Sequence, residues 1–264
     1  MTTRALAAIL FLSLAGGAHA ELRDYCPDRP GIGSPSCTID RGHVSAEVGI
    51  AGWTLDKTAG ARDDTLILGD MLARFGLGDA TEFRLGWTGY GRQRDRDATG
   101  ATRRQHRVGD VTLALRQNLR NPDGSGLSFA VTPFVTLPVG RQPIGAGDWG
   151  AGLAGALSLE LNDSIALAFT PEADAAVDED GRGRHFAYSL VEGINAKLNE
   201  GLTMTIEHQV SRDRDPAGHS TTQLAGLSFG WMRSKQLQLD MGANAGLNQH
   251  SSDIKLYVGI SRRF

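Results

Sequence analysis

Several things are scarce in this chain, and each scarcity excludes something. Beyond an N-terminal run, no stretch approaches 18 uninterrupted apolar residues, which excludes a membrane-spanning helix. Charge of one sign is not in excess: the formal net charge is −3, and no basic surplus argues for nucleic acid. Cysteine occurs twice, with no histidines near either thiol, which makes a zinc site a poor reading. Proline is modest (9 residues) while glycine is abundant (34 residues), without low-complexity tracts. That balance suggests many turns and tight interiors rather than disorder. A transmembrane β-barrel survives all these exclusions, because its signal per segment is short and weak.

The N-terminus predicts export. MTTRALAAILFLSLAGGAHA carries Arg4, an apolar run from Ala5 to Ala15 and an A-x-A site at Ala18-His19-Ala20. These are the parts of a secretory signal peptide over 1–20. No cysteine follows the cleavage site directly, which argues against a lipoprotein, and cleavage would take the formal charge from −3 to −4. A short periplasmic segment, 21–42, comes next and holds Cys26 and Cys37. In an exported chain such a pair reads as a disulfide. The loop it closes, CPDRPGIGSPSC, is rich in Pro and Gly and is expected to reach into the barrel as a partial plug.

From residue 43 onward the period is two nearly everywhere. Successive side chains on a strand point to opposite faces, so alternation marks one greasy and one wet face. In GLTMTIEHQV (201–210), Leu202, Met204, Ile206 and Val210 oppose Thr203, Thr205, Glu207 and Gln209. Twelve such segments are predicted: 43–56, 64–75, 80–91, 106–119, 126–138, 148–161, 164–176, 185–198, 201–211, 221–232, 236–248 and 253–264. The second is the least clear, because Leu66, Ile67 and Leu68 are consecutive. Many run near the 9–11 residues a tilted strand needs to cross a bilayer. Short connections (GLGDA, NPDGSG, ND, NEG, RSK) alternate with longer polar loops at 57–63, 92–105, 139–147, 177–184, 212–220 and 249–252. Short turns at one end and long loops at the other are the habit of an outer-membrane barrel. The expected fold is therefore all-β, a closed antiparallel transmembrane barrel of about 12 strands over 43–264, in the outer membrane. A soluble β-sandwich is the main rival.

The two faces supply the candidate site residues. Aromatics with lipid-facing parity form a girdle: Trp87, Trp149, Phe186 and Tyr188 at the outer rim, Trp231 and Phe264 at the inner rim. Trp53 has the wrong parity for its strand and is expected to point inward. The inward charges are Glu47, Arg74, Glu82, Arg84, Asp110, Arg116, Glu160, Glu172, Glu207, Asp240 and Lys255. They line the lumen in both signs, and pairing across it is expected because isolated charges there are costly. Such pairs either fill the lumen or frame a polar eyelet. RDRD at 94–97 and at 212–215 falls in predicted outer loops, where arginine forks would suit lipopolysaccharide phosphates but more simply pair with one another.

Two motifs mislead. GAGLAG (150–155) fits GxGxxG, yet it lies inside an alternating strand rather than between a strand and a helix. GLSFG (226–230) fits GxSxG, with Asp240 and His250 following, but the strand runs on through Trp231 without the required elbow. His208 and Glu192 share lipid-facing parity but belong to different predicted hairpins, so an outer-membrane lipid-modifying enzyme lacks an assembled nucleophile, base and orienter. No catalytic residue, metal or cofactor is predicted.

The chain ends SSDIKLYVGISRRF. Ile254, Leu256, Val258, Ile260 and Phe264 share one parity. This resembles the C-terminal assembly signal of Gram-negative outer-membrane proteins, which the barrel-assembly machinery reads. Arg262 departs from it at a position where an aromatic or aliphatic residue is common. ARFGLGDATEFRLGW (73–87), VGDVTLALRQNL (108–119) and FVTLPVG (134–140) resemble stretches of a transporter family named for the meta-pathway of phenol degradation. That resemblance spans most of 43–264 and implies a barrel admitting small apolar or aromatic compounds, with no catalytic residues to transfer. The expected function is passive passage of a small-molecule solute, with outer-membrane lipid and lipopolysaccharide as surroundings. The alternative is a structural barrel that anchors without transport.

Overall fold

The computed structural model describes residues 22–264, and the signal peptide expected at 1–20 lies outside the described residues. The chain forms β1 (Val44–Thr58), β2 (Ala61–Gly76), β3 (Thr81–Arg96), β4 (Thr102–Arg107), β5 (Val111–Arg120), β6 (Leu127–Leu137), β7 (Gly150–Asn162), β8 (Ile165–Val177), β9 (Arg184–Lys197), β10 (Leu202–Asp215), β11 (Gly218–Ser234), β12 (Leu237–Gly246) and β13 (Ile254–Arg263). Each strand pairs antiparallel with its neighbours. β4 and β5 lie end to end along β3, so the thirteen elements make a closed barrel of twelve strand positions. The predicted strand 106–119 is thus interrupted at 108–110, where the Gly109 N–H bonds the Thr88 carbonyl at 2.8 Å.

Closure joins the last strand to the first. β13 pairs with β1 from Ser45 opposite Arg263 to Leu55 opposite Ile254. Val44 and Phe264 exchange backbone hydrogen bonds of 3.2 and 2.8 Å at the end of this seam. The wall then has no free edge, as a sheet in hydrocarbon requires.

One irregularity reverses an expectation. Gly49 lies opposite Asp70, but the next register pair is Ala51 with Leu68. Ile50 and Gly69, at φ 65°, drop out of the β1–β2 ladder together, and against β13 Ile50 is the extra residue of a bulge between Gly49 and Ala51. The extra residue flips the parity of the rest of β1. Trp53 therefore sits opposite Leu66 and Leu256, on the outer face, and does not point inward. The same bulge resolves the consecutive Leu66-Ile67-Leu68: the two leucines face out, and Ile67 lies opposite Gly52 on the inner face.

Three of the six long polar loops, 57–63, 92–105 and 212–220, prove to be mostly sheet. β1 and β2 pair up to Thr58 and Ala61, leaving Ala59-Gly60 as the turn of the expected loop 57–63. β3 and β4 stay paired to Arg96 and Thr102, and β10 and β11 to Asp215 and Gly218. The RDRD tract at 212–215 therefore lies in β10, and that at 94–97 lies in β3 up to Arg96, with Asp97 in the turn. Ladder hydrogen bonds need no apolar face where both faces meet water, so the strands run on beyond the greasy band. The connection 138–149 is the longest irregular stretch at this loop end.

The distribution of polarity is inverted relative to a soluble domain. The fully buried large side chains are Arg74, Arg116, Glu47 and Glu82, while Leu153, Ile194, Ile206, Met241 and Leu256 are exposed. A sandwich would bury the apolar set. A bilayer-spanning barrel turns it toward lipid.

Candidate functional site

The lumen is occupied by the chain's own N-terminal segment. Residues 23–40 lie within the ring of strands, and the disulfide Cys26–Cys37 closes their central loop. The contacts establish this position, because they reach strands on every side. Tyr25 bonds Ser45 of β1, Ser36 bonds Ser128 of β6 and Ser158 of β7, Ser34 bonds Thr170 of β8, and Arg29 pairs with Asp240 of β12. All these partners lie toward the end of the barrel that carries the short turns.

Paired charges organise the contact. Arg74 on β2 sits between Glu47 of β1 at 3.1 Å and Glu82 of β3 at 3.0 Å, all three side chains fully buried. Its remaining donors go to the carbonyls of Cys26 (2.8 Å) and Cys37 (3.3 Å). Glu47 accepts the backbone N–H groups of Asp28 and Arg29, and Glu82 accepts that of Ile39. Across the lumen, Glu207 on β10 accepts the N–H groups of Ile32 and Gly33, both at 2.8 Å. Arg84 on β3 and Arg116 on β5 both reach Asp28, at 2.7 and 3.4 Å. Arg116 also donates to the Ser34 hydroxyl and the Pro35 carbonyl. Burial pushes the Asp28 carboxyl up, but the Arg84 and Arg116 guanidiniums outweigh it and hold the group well below the ordinary aspartate range. An irregular segment carries backbone donors and acceptors that no ladder satisfies. The inward charges satisfy many of them.

Seven of the eleven inward charges named from sequence thus meet the segment or its partners: Glu47, Arg74, Glu82, Arg84, Arg116, Glu207 and Asp240. Four are placed otherwise. Glu172 faces the open part of the lumen. Lys255 lies opposite Thr54 and Asn244 on the inner wall. Asp110 sits in the β4–β5 break and accepts the N–H groups of Gly140 and Ala146, tying down the 138–149 connection. Glu160 accepts the Gly126 N–H at a turn. Asp28, Ser34, Ser36 and Asp40 escaped the sequence reading. Their signal was available: polar side chains inside a cysteine-bounded segment that had to satisfy itself somewhere.

Above the segment a cavity of about 450 Å³ remains. Its floor is Asp28, Arg29 and Gly31–Ser34 of the segment, with Arg84 and Arg116 beside it. Its wall mixes Phe134, Ala114, Ala154, Met71 and Leu72 with Thr112, Thr132, Asp70 and Glu172. The lining therefore offers apolar area together with a few fixed charges, the usual make-up of a small-molecule site.

The six aromatics all have exposed rings on the outer face, and Phe264 is 61% exposed. Arginines lie over most of them: Arg184 over Trp149 at 4.4 Å, Arg233 over Trp231 at 4.3 Å, Arg262 over Phe264 at 5.0 Å, and Arg214 over Phe186 and Tyr188. Arg262, the departure from the assembly pattern, thus caps the terminal ring. Leu256 and Val258 also face outward.

The apparent hydrolase groups do not converge. Ser228 lies within β11, Asp240 is bonded to Arg29, and His250 lies in the connection at the loop end. His208 and Glu192, expected on separate hairpins, are register partners on adjacent strands β10 and β9, with Nδ1 3.1 Å from Oε1 on the outer face. Their outward neighbours, such as Ile194, Ile206 and Ala225, supply no nucleophile.

The family described as "Putative MetA-pathway of phenol degradation" matches residues 27–264. Among solved structures, the COG4313 outer membrane channel from Pseudomonas putida F1 superposes with a TM-score of 0.70 at 16% identity, covering 89% of this chain and 99% of that one. The NanC porin gives 0.52 at 8% identity, covering 83% of this chain and 98% of that one. The KdgM porin gives 0.51 at 11% identity, covering 83% and 99%. These likenesses show a shared fold. No curated protein matches the sequence.

Proposed function

The chain belongs to this phenol-degradation family, and from that membership we propose that it is an outer-membrane channel for passive passage of a small apolar or aromatic solute. The turn end, with Phe264 and the entry to the plug, faces the periplasm. The loop end faces outward. One observation carries the reading: a closed barrel retains a cavity of about 450 Å³, part apolar and part charged, above its own N-terminal segment. The cavity would receive the solute from outside. The driving force is the concentration gradient.

The plug defines the closed state. Its contacts are polar and spread over most of the wall, so passage requires it to shift or to leave a path beside it. The test is uptake of phenol by liposomes holding the purified barrel, with single-channel conductance alongside. Wild type is expected to admit phenol, and removal of residues 22–40 to raise conductance severalfold. A barrel that stays impermeable to phenol and ions after this deletion would overturn the channel reading in favour of an anchoring role. The double change Cys26→Ser/Cys37→Ser is expected to raise conductance more modestly, because the segment keeps its charged anchors. Unchanged conductance would show that the disulfide does not restrain the plug.

A further inference from the structure

We infer that Asp178, His185 and Asp215 form a binding site for a divalent transition-metal cation at the loop end of the barrel. The site lies apart from the cavity floor and is independent of the channel reading. Asp178 stands just past β8, His185 is the second residue of β9, and Asp215 ends β10. A cation there would staple the β8–β9 connection to the β10–β11 hairpin.

Geometry is the first ground. Nδ1 of His185 lies 2.9 Å from Oδ1 of Asp178 and 3.4 Å from Oδ2 of Asp215. Ligands held at about 2.1 Å from one ion are separated by roughly 3.0–3.4 Å in octahedral or tetrahedral arrangement. Charge is the second. Asp213 also approaches the ring, so three carboxylates converge on one imidazole. Among the described residues no arginine or lysine forms a salt bridge with any of them. Even an imidazolium would leave the cluster negative, and a divalent cation would cancel that excess.

The third ground is the histidine itself. Its side chain is 5% exposed, and Nε2 is buried without a hydrogen-bond partner. Nε2 nevertheless lies 2.9 Å from Oδ1 of Asp213. Metal-ligating histidines commonly present one nitrogen to the ion and turn the other N–H to a carboxylate. Here Nδ1 faces the two candidate ligands and Nε2 faces Asp213, as that arrangement requires. Asp215 is already oriented: its Oδ2 accepts the Glu179 N–H at 2.6 Å and its Oδ1 the Ala217 N–H at 2.7 Å. The imidazole suits zinc and the two carboxylates also suit manganese, whereas calcium and magnesium take all-oxygen sites. A pocket of about 290 Å³ borders His185 and Arg184.

The test uses the full-length purified barrel in detergent, stripped with EDTA and then titrated with Zn²⁺ or Mn²⁺ by calorimetry, with retained metal measured after dialysis. One equivalent per chain is expected for wild type. His185→Gln and Asp215→Asn are expected to weaken binding at least 100-fold, and Asp213→Asn by about 10–100-fold. The heat-dependent gel shift of each variant verifies that its barrel is closed. Failure of the wild type to retain metal would overturn the site and leave His185 as a protonated clamp between aspartates. Equal binding by wild type and a folded His185→Gln variant would overturn it as well.

Discussion

At the scale of the residue, Arg74 shows how this barrel uses buried charge. Its guanidinium bridges Glu47 and Glu82 at 3.1 and 3.0 Å, all three fully buried, while Arg84 and Arg116 approach Glu82 only at 3.8 and 3.9 Å. Arg74→Met is expected to destabilise the barrel by about 3–5 kcal/mol, because two carboxylates would stay buried without it. The measurement is the midpoint temperature of the heat-dependent gel shift. Adding Glu47→Gln and Glu82→Gln to Arg74→Met should recover much of the loss, since the cost lies in uncompensated charge. Asp28 gives a pH signature. Its carboxyl is held below the ordinary range, so its contribution is full above the unfolded aspartate value of about 3.9 and is lost as pH falls through the lowered value. Conductance is therefore expected to stay flat from neutral to mildly acid pH and to rise only in strong acid. Asp28→Asn should raise it at neutral pH and flatten that acid limb. An acid rise unchanged in Asp28→Asn would assign the effect to other groups.

At the scale of the element, alternation made nearly every strand legible, because lipid on one face and a polar lumen on the other impose the same period of two. The exceptions have local causes. The bulge at Ile50 shifts parity by one residue, and a single extra residue leaves no mark in composition, so alternation alone puts Trp53 on the wrong face. Charged residues hide the continuation of the loop-end strands, whose ladders persist to Asp215 and Gly218. Among the plug's close approaches, a side chain at Gly76 would overlap the Asp40 backbone carbonyl, where the segment turns into β1. Gly76→Val is expected to unseat the segment and raise conductance severalfold while the barrel still shifts on heating. At the other terminus, Phe264→Ala is expected to lower the amount of folded barrel reaching the outer membrane several-fold. The folded fraction should lose no more than about 1 kcal/mol, because the ring is mostly exposed. Normal abundance in membrane fractions would show that the terminal ring is not read during assembly.

At the scale of the whole molecule, closure is the property to measure. Wild type is expected in the outer-membrane fraction and to run differently on a gel before and after boiling. That shift would disappear if the β1–β13 seam were open. The sequence by itself determined the strand count, the inside and outside of most strands and the cysteine pair. Each follows from chemistry repeated along the chain, where a strand's environment is written into every second residue. Only the tertiary structure decided what the inward charges serve. Glu47, Arg74 and Glu82 come from three strands and meet around the carbonyls and N–H groups of a fourth segment. The gathering of Asp178, His185, Asp213 and Asp215 likewise needs two hairpins brought side by side. Parity says which face a residue takes. Which residues meet across the lumen depends on barrel closure, strand stagger and the path of the plug, and these exist only once the chain has folded.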